Sequence, residues 1–450
     1  MLRSIAQYRP VTAKKLTELR YWDNLSVDYR KTFLVASEVL PFRVNEYVLE
    51  NFIDWSAPED DPMFRLLFPQ EGMLTRSQFA RIEAAQNATS TDLREAVRVT
   101  REELNPHPAG QMTDNIPTLG EDILDGIQHK YAETALFFPS AGQTCHAYCS
   151  FCFRWPQFVS EPAWKIQARE AAQAVSYLRC HQEITDILIT GGDPLIMNSK
   201  NLRRYVEPFL AVESLKTIRF GSKAVTYWPH RFLAGEDAAD LLSLFEEIVA
   251  SGKSLAFMAH LTHSRELEPP EVKAAINAIR ATGATIRTQA PLLKHVNDDP
   301  VVWAKLWTDC SALGIYPYYM FVERDTGPSG YFRVPLWRAH EIYSSAISRV
   351  SGLSRTARGP VMSSHPGKVV IDGIVEVHGQ RALSLRFLQA REPTFVDRIF
   401  LAEFDETASW LDDLRPLGGG EFFFEARGKP TEPAAPQWTA PERIMGGVHA

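Results

Sequence analysis

Three of the chain's five cysteines, Cys145, Cys149 and Cys152, fall in one short stretch, Gly142-Gln-Thr-Cys145-His-Ala-Tyr-Cys149-Ser-Phe-Cys152-Phe-Arg154. A C-x3-C-x2-C spacing can close one loop around a metal centre. It supplies one thiolate fewer than the four of tetrahedral structural zinc or a fully protein-ligated iron–sulfur cluster. One metal position is left open, or a knuckle borrows His146 as its fourth ligand. Cys310 falls on an apolar helical stripe and reads as core, and Cys180 has no partner pattern.

Downstream, polar and glycine residues recur at the ends of apolar runs. Thr190-Gly191-Gly192-Asp193-Pro194 ends one run, and its glycines permit a backbone approach that could hold a charged amino group. Phe220-Gly221-Ser222-Lys223 ends the next, and His260-Leu-Thr-His263 the one after. A metal-binding histidine pair on a helix takes i, i+4 spacing, and no third ligand is evident here. Thr288-Gln289-Ala290 follows, running on to Asn297-Asp298-Asp299-Pro300, itself a good helix start. Last comes Ser364-His365-Pro366-Gly367-Lys368, where a lysine able to lose its proton could attach a carbonyl cofactor.

The cysteine stretch resembles the radical SAM superfamily, and the adjoining Phe153-Arg154 its lysine 2,3-aminomutase branch, with likeness over residues 20–390. The resemblance implies a [4Fe–4S] cluster on Cys145, Cys149 and Cys152. S-adenosylmethionine (SAM) would chelate its open iron and yield a 5′-deoxyadenosyl radical on reduction. Gly191, Gly192 and Asp193 match the stretch that holds the methionine amino group. Ser222 matches the segment near the ribose and carboxylate, and one of His260 and His263 lies by SAM. The resemblance further implies pyridoxal 5′-phosphate (PLP) on Lys368, beside Gln289, with Lys130 near its phosphate. It also implies an Arg154 that grips the substrate carboxylate. The departures are a glycine run reduced to Gly367, Thr134 at the second basic position, and two residues inserted before Cys145.

The activity so implied is that of an amino-acid 2,3-aminomutase, fed by an electron donor such as flavodoxin or ferredoxin. Free lysine is not the expected substrate. The family's two ammonium-clasping aspartates fall on Arg324 and Val361, and a buried ammonium needs such partners. Glutamate is a candidate, and Arg355 and Arg358 would add to the cationic bias if they face the pocket. The alternatives are a radical SAM enzyme without PLP and a non-enzymatic iron–sulfur or zinc module.

The elements that must position these residues begin near residue 133. Apolar runs at 135–138, 186–190, 217–220, 255–260, 285–289 and 316–321 read as strands. Helices alternate with them, showing stripes such as Leu241, Leu244, Phe245, Ile248 and Trp303, Leu306, Trp307, Cys310. Six such units imply a parallel sheet with its chemistry at the carboxyl ends of the strands. The expected fold is α/β, a partial (β/α)6 radical SAM barrel over 116–375. An N-terminal helical region covers 1–115 and reads as a plain packing or subunit-contact cap. A C-terminal extension covers 376–450, with a helix-like 402–414, a glycine turn at 418–420 and a disordered final twenty residues.

A net charge of −7 and a pI near 6.0 argue against nucleic acid. No apolar run is long enough to span a membrane. Clustered free cysteines point to a reducing, cytoplasmic setting, and the terminal regions to a homo-oligomer.

Overall fold

A computed structural model describes residues 7–425; the expectation for the final twenty residues lies outside them. Its centre is an eleven-stranded sheet whose spatial order follows the chain order. The strands are β1 (Ile127–Tyr131), β2 (Thr134–Phe137), β3 (Asp186–Ile189), β4 (Thr217–Ser222), β5 (Ser254–His260) and β6 (Thr285–Leu292). They continue as β7 (Tyr316–Val322), β8 (Arg358–Ser363), β9 (Gly367–Val377), β10 (Gln380–Ala390) and β11 (Ile399–Glu403). From β2 to β8 every neighbouring pair is parallel. The six expected strands are all present, and β8 extends their parallel run by one. Buried on both faces, such strands read as continuous apolar runs, as Leu255 to Ala259 does in β5.

Helices join the parallel strands. They include α1 (Ala172–Cys180), α2 (Ser199–Leu210), α3 (Glu236–Ala250), α4 (Pro270–Ala281), α5 (Pro300–Ala312) and α6 (Leu336–Ser348). Their expected stripes face the sheet: Leu241, Leu244, Phe245, Ile248 and Cys310 are fully buried in one core with the strands. Asp299 caps α5 by accepting from the Val301 amide at 2.8 Å, with Pro300 in the first turn. Such a cap contributes about 1 kcal/mol. The sheet curves so that side chains from its first strand region reach β8 and β10. Lys130 Nζ on β1 donates to Ser363 Oγ on β8 at 3.4 Å, and Gln389 Nε2 on β10 donates to Glu133 Oε1 at 2.9 Å.

The N-terminal region packs aromatic residues, Phe33, Phe42, Phe64 and Phe68 among them, into a core shared with Phe151 and Trp155 beside the cysteines. At the other end, β9, β10 and β11 continue the sheet as antiparallel strands. A division at residue 375 therefore falls inside β9, which pairs with β10 along its length.

The helix expected at 402–414 is not formed. Phe400 and Ala402 point inward from β11 at a period of two. The acids that suggested a helix close turns instead. Asp405 accepts from the Thr407 and Ala408 amides, and Asp413 from those of Ser409 and Trp410. Among the described residues no helix is long and apolar enough to cross a membrane.

Candidate active site

The cysteine loop leaves β2 and is gripped from outside by the N-terminal region. Tyr8 Oη and Asn45 Nδ2 both donate to the His146 carbonyl, at 3.0 and 3.1 Å. The Tyr148 amide donates to Arg43 O at 2.7 Å, and the Ser150 amide to Leu66 O at 2.8 Å. Held this way, Cys145, Cys149 and Cys152 line one wall of a cavity of about 260 Å³ enclosed by the sheet. His146 is buried and does not line it.

Burial pushes the Cys152 thiol up to about 12, with Cys149 adding to the shift. The Cys145 thiol is raised well above its ordinary value, first by burial and then by Asp193 and the other two thiols. Three thiolates this close in a poorly solvated wall need a cationic centre to offset them, which suits the donor set to a positively charged cluster core. Among the described residues no three His, Cys, Asp or Glu side chains meet as one metal ion requires. A four-iron cluster takes its thiolates at separate corners.

The strand end at 190–194 lies directly against this loop. The Gly192 amide donates to Gly142 O at 3.0 Å, and the Asp193 amide to Thr144 O at 2.8 Å. A Cβ on Gly192 would stand 2.5 Å from the Thr144 carbonyl oxygen, so glycine is required here by the cysteine loop. Gly191 does not line the cavity; a Cβ there would meet the Gln143 side chain.

Asp193 is buried and fully engaged. It accepts from Ser222 Oγ at 2.8 Å and from the Lys223 and Leu195 amides at 2.9 and 3.0 Å. Burial still pushes its pKa up. Lys223 Nζ pairs with Glu266, which is 0% exposed and also accepts from Thr226 Oγ1 at 2.9 Å.

The two histidines part company. His260 lines the cavity and stacks on Phe151. Burial, reinforced by Lys223, lowers its pKa to about 3, so its imidazole is neutral at physiological pH. His263 lies outside the lining, where Nδ1 accepts from the Arg265 amide and caps a turn. Gln289, at the end of β6, reaches the cavity.

Four cations cluster in the cavity and form its cation end, Lys130, Arg154, Arg324 and Lys368, with Arg154 only two residues beyond Cys152. Among the described residues none of the four pairs with a carboxylate. Lys368 Nζ donates to Gln389 Oε1 at 2.8 Å and lies 5.0 Å from the centre of the Tyr319 ring. Burial first, then Arg219 and Arg358, lower its pKa to about 7. Lys130 is driven well below the usual lysine value by burial and by Arg324, Lys368 and Arg154. Burial lowers Arg154 to about 10. Nε and Nη2 of Arg324 are buried without an acceptor. Both guanidiniums lie over the Phe153 ring, at 5.0 and 5.2 Å from its centre. Mutually repelling cations with unused donors make a receptor for anions.

Several of the residues discussed above serve the fold instead of the cavity. Gly367 does not serve ligand approach: a Cβ there would stand 2.2 Å from the Gln389 carbonyl oxygen, so strand pairing requires the glycine. Val361 is fully buried against Tyr319 and Val370, outside the cavity. Arg355 and Arg358 are also absent from the lining; Arg355 Nε donates to Val350 O, and Arg358 covers the Tyr318 and Tyr319 rings. The N-terminal region is more than a cap, since it fixes the cysteine loop. Glu323 was missed altogether. It lines the cavity at 6% exposure with both oxygens unpartnered, and burial raises its pKa well above the carboxylate range.

A three-cysteine loop at the mouth of a parallel α/β sheet is the arrangement of radical SAM proteins. No family model matches the chain, but individual relatives do. It is 28% identical to a protein of Aquifex aeolicus provisionally named L-lysine 2,3-aminomutase, over 405 residues, 90% of this chain and 96% of that one. It is 25% identical to the L-lysine 2,3-aminomutase of Bacillus subtilis over 316 residues, 66% of this chain and 62% of the relative. It is 26% identical to the L-lysine 2,3-aminomutase of Methanococcus maripaludis over 244 residues, 54% of this chain and 53% of the relative. The chain is thus similar to proteins named as lysine 2,3-aminomutases, over most of its length in the case of the Aquifex protein.

Proposed function

We propose that this protein is a radical SAM, PLP-dependent amino-acid 2,3-aminomutase, built on a partial barrel and acting on an acidic amino acid. The observation that carries the reading is the convergence on one cavity of three cysteines from one loop, Asp193 from β3 and Lys368 from β9. When bound, a [4Fe–4S] cluster with SAM supplies a hydrogen-abstracting radical, and PLP supplies the π-system across which nitrogen moves from the α to the β carbon.

The chain's own groups would do the rest. Cys145, Cys149 and Cys152 would hold the cluster, leaving the fourth iron for SAM. The neutral His260 ring would shape the SAM side, and the Asp193 carboxylate, held by Ser222 and two amides, would supply the negative charge there. Lys368, with its pKa near 7, has a neutral amine available for attachment at physiological pH, and Lys130 would face the phosphate. Arg154 would take the substrate α-carboxylate, and Arg324 a side-chain carboxylate. The apolar and aromatic lining excludes water from the reacting atoms. An external one-electron donor such as flavodoxin or ferredoxin would complete the system.

The test is anaerobic reconstitution with iron, sulfide and PLP. Dithionite and SAM should then yield 5′-deoxyadenosine, and borohydride should fix PLP on Lys368. A protein that forms 5′-deoxyadenosine but never retains PLP would establish the second reading, a radical SAM enzyme without PLP. That reading draws support from Lys368 already donating to Gln389 and from Gly367 being required by strand pairing.

A further inference from the structure

Opposite the cysteine loop, a short helix, Ala224–Tyr227, follows β4 and places Tyr227 against Cys149. The separation between Tyr227 Oη and Cys149 Sγ is 3.4 Å, within hydrogen-bonding range for sulfur. The ring is 1% exposed, so its hydroxyl cannot turn to solvent. Resting on the radical SAM reading, we propose that Tyr227 donates a hydrogen bond to the Cys149 thiolate and so raises the reduction potential of the cluster.

The direction of the bond follows from chemistry. A cysteine that ligates iron is a thiolate and can only accept, so the phenol must donate. A donor at a ligating sulfur withdraws charge from the cluster. That favours the reduced, more negative state, and hydrogen bonding to the sulfurs is among the terms that set such potentials.

The surroundings strengthen the donor and fix its position. Lys223 Nζ lies 4.3 Å from the centre of the Tyr227 ring, where a cation polarises the phenol towards donation. Glu266 anchors that ammonium from the far side. Asn45 Nδ2 bridges the two partners' backbones, donating to Tyr227 O at 2.9 Å and to the His146 carbonyl in the cysteine loop at 3.1 Å. The N-terminal region thereby holds donor and acceptor in register. Tyr227 is a positioning residue for the cluster's electronics, with no role assigned to it in binding substrate.

The experiment is a redox titration, by electron paramagnetic resonance, of the reconstituted full chain without SAM. Wild type is compared with Tyr227→Phe and Tyr47→Phe. Tyr47 is a matched control, because its hydroxyl is buried in the same region without a partner. Tyr227→Phe should bind the wild-type amount of iron and titrate at a more negative midpoint, while Tyr47→Phe titrates with wild type. Equal midpoints for Tyr227→Phe and wild type, or an equal shift in the control, would overturn the proposal. Failure of the wild type to assemble a cluster would instead overturn the radical SAM reading. If Tyr227→Phe does not fold, 3-fluorotyrosine at position 227, a stronger donor, should move the midpoint to more positive values. An unmoved midpoint there counts equally against the proposal.

Discussion

Asp193 and Arg324 line the same cavity under opposite conditions. The carboxylate of Asp193 accepts from Ser222 Oγ and from the Lys223 and Leu195 amides. The guanidinium of Arg324 keeps Nε and Nη2 buried with no acceptor. Their neighbours follow suit: Lys223 is paired with Glu266, whereas Lys130 and Arg154 have no carboxylate partner among the described residues. Asp193 therefore has its acceptors engaged before any ligand arrives, although Arg43 Nε, Gln143 Oε1 and His146 Nδ1 around the cysteine loop are buried without partners. The cation end carries an uncompensated cost that an anionic ligand would relieve, so binding energy is concentrated there.

The largest effect expected from breaking this contrast is at the cysteine wall. Replacing Cys145, Cys149 or Cys152 by Ala should each reduce 5′-deoxyadenosine formation to background, measured by chromatography after anaerobic incubation with SAM and dithionite. Unaltered SAM cleavage in all three variants would contradict the cluster assignment.

The next effect is on stability. Asp193→Ala strips buried donors of their acceptor and should cost about 1–3 kcal/mol in urea unfolding. Lys368 adds a pH signature. Its folded pKa of about 7 lies below the ordinary lysine value near 10.4. Between those values the unfolded chain binds a proton that the folded chain does not, so this lysine makes stability rise with pH. Below about pH 7 both forms are protonated and the folded protein bears the full cost. Urea midpoints should accordingly show Lys368→Met most stabilised over wild type at and below pH 7, with the gap closing towards pH 10. A constant gap would place the lysine in contact with solvent.

The smallest effect has the opposite sign to that of Asp193→Ala. Arg324→Leu removes a buried guanidinium that lacks acceptors, and it should stabilise the ligand-free protein by about 1 kcal/mol. Destabilisation would mean that the Arg324 guanidinium is as well paired as the Asp193 carboxylate.

Motif spacing exposed the three cysteines, the Gly-Gly-Asp strand end and Lys368, because each sits at or beside the end of a strand whose apolar run is itself visible. The stripes on α3 and α5 were legible for the same reason of periodicity. The grip of Tyr8, Arg43 and Asn45 on the cysteine loop was not, since it consists of contacts to backbone groups about a hundred positions or more away. Strand β8 was missed because its sequence, Arg358-Gly-Pro-Val-Met-Ser363, holds no apolar run and begins with a Gly-Pro turn signal. Acid-rich composition masked the period-two burial of β11. Nothing in the sequence distinguished His260 from His263; only the turn that follows β5 carries one into the cavity and the other out of it.

The central claim is that the unpaired cations select an acidic substrate. The most direct measurement incubates reconstituted protein anaerobically with SAM, dithionite, PLP and, in turn, glutamate, aspartate and lysine, and follows the β-amino isomers by NMR. The account predicts isomer from an acidic amino acid and its loss in Arg324→Ala. Isomer from lysine alone, at a rate unchanged by Arg324→Ala, would contradict it.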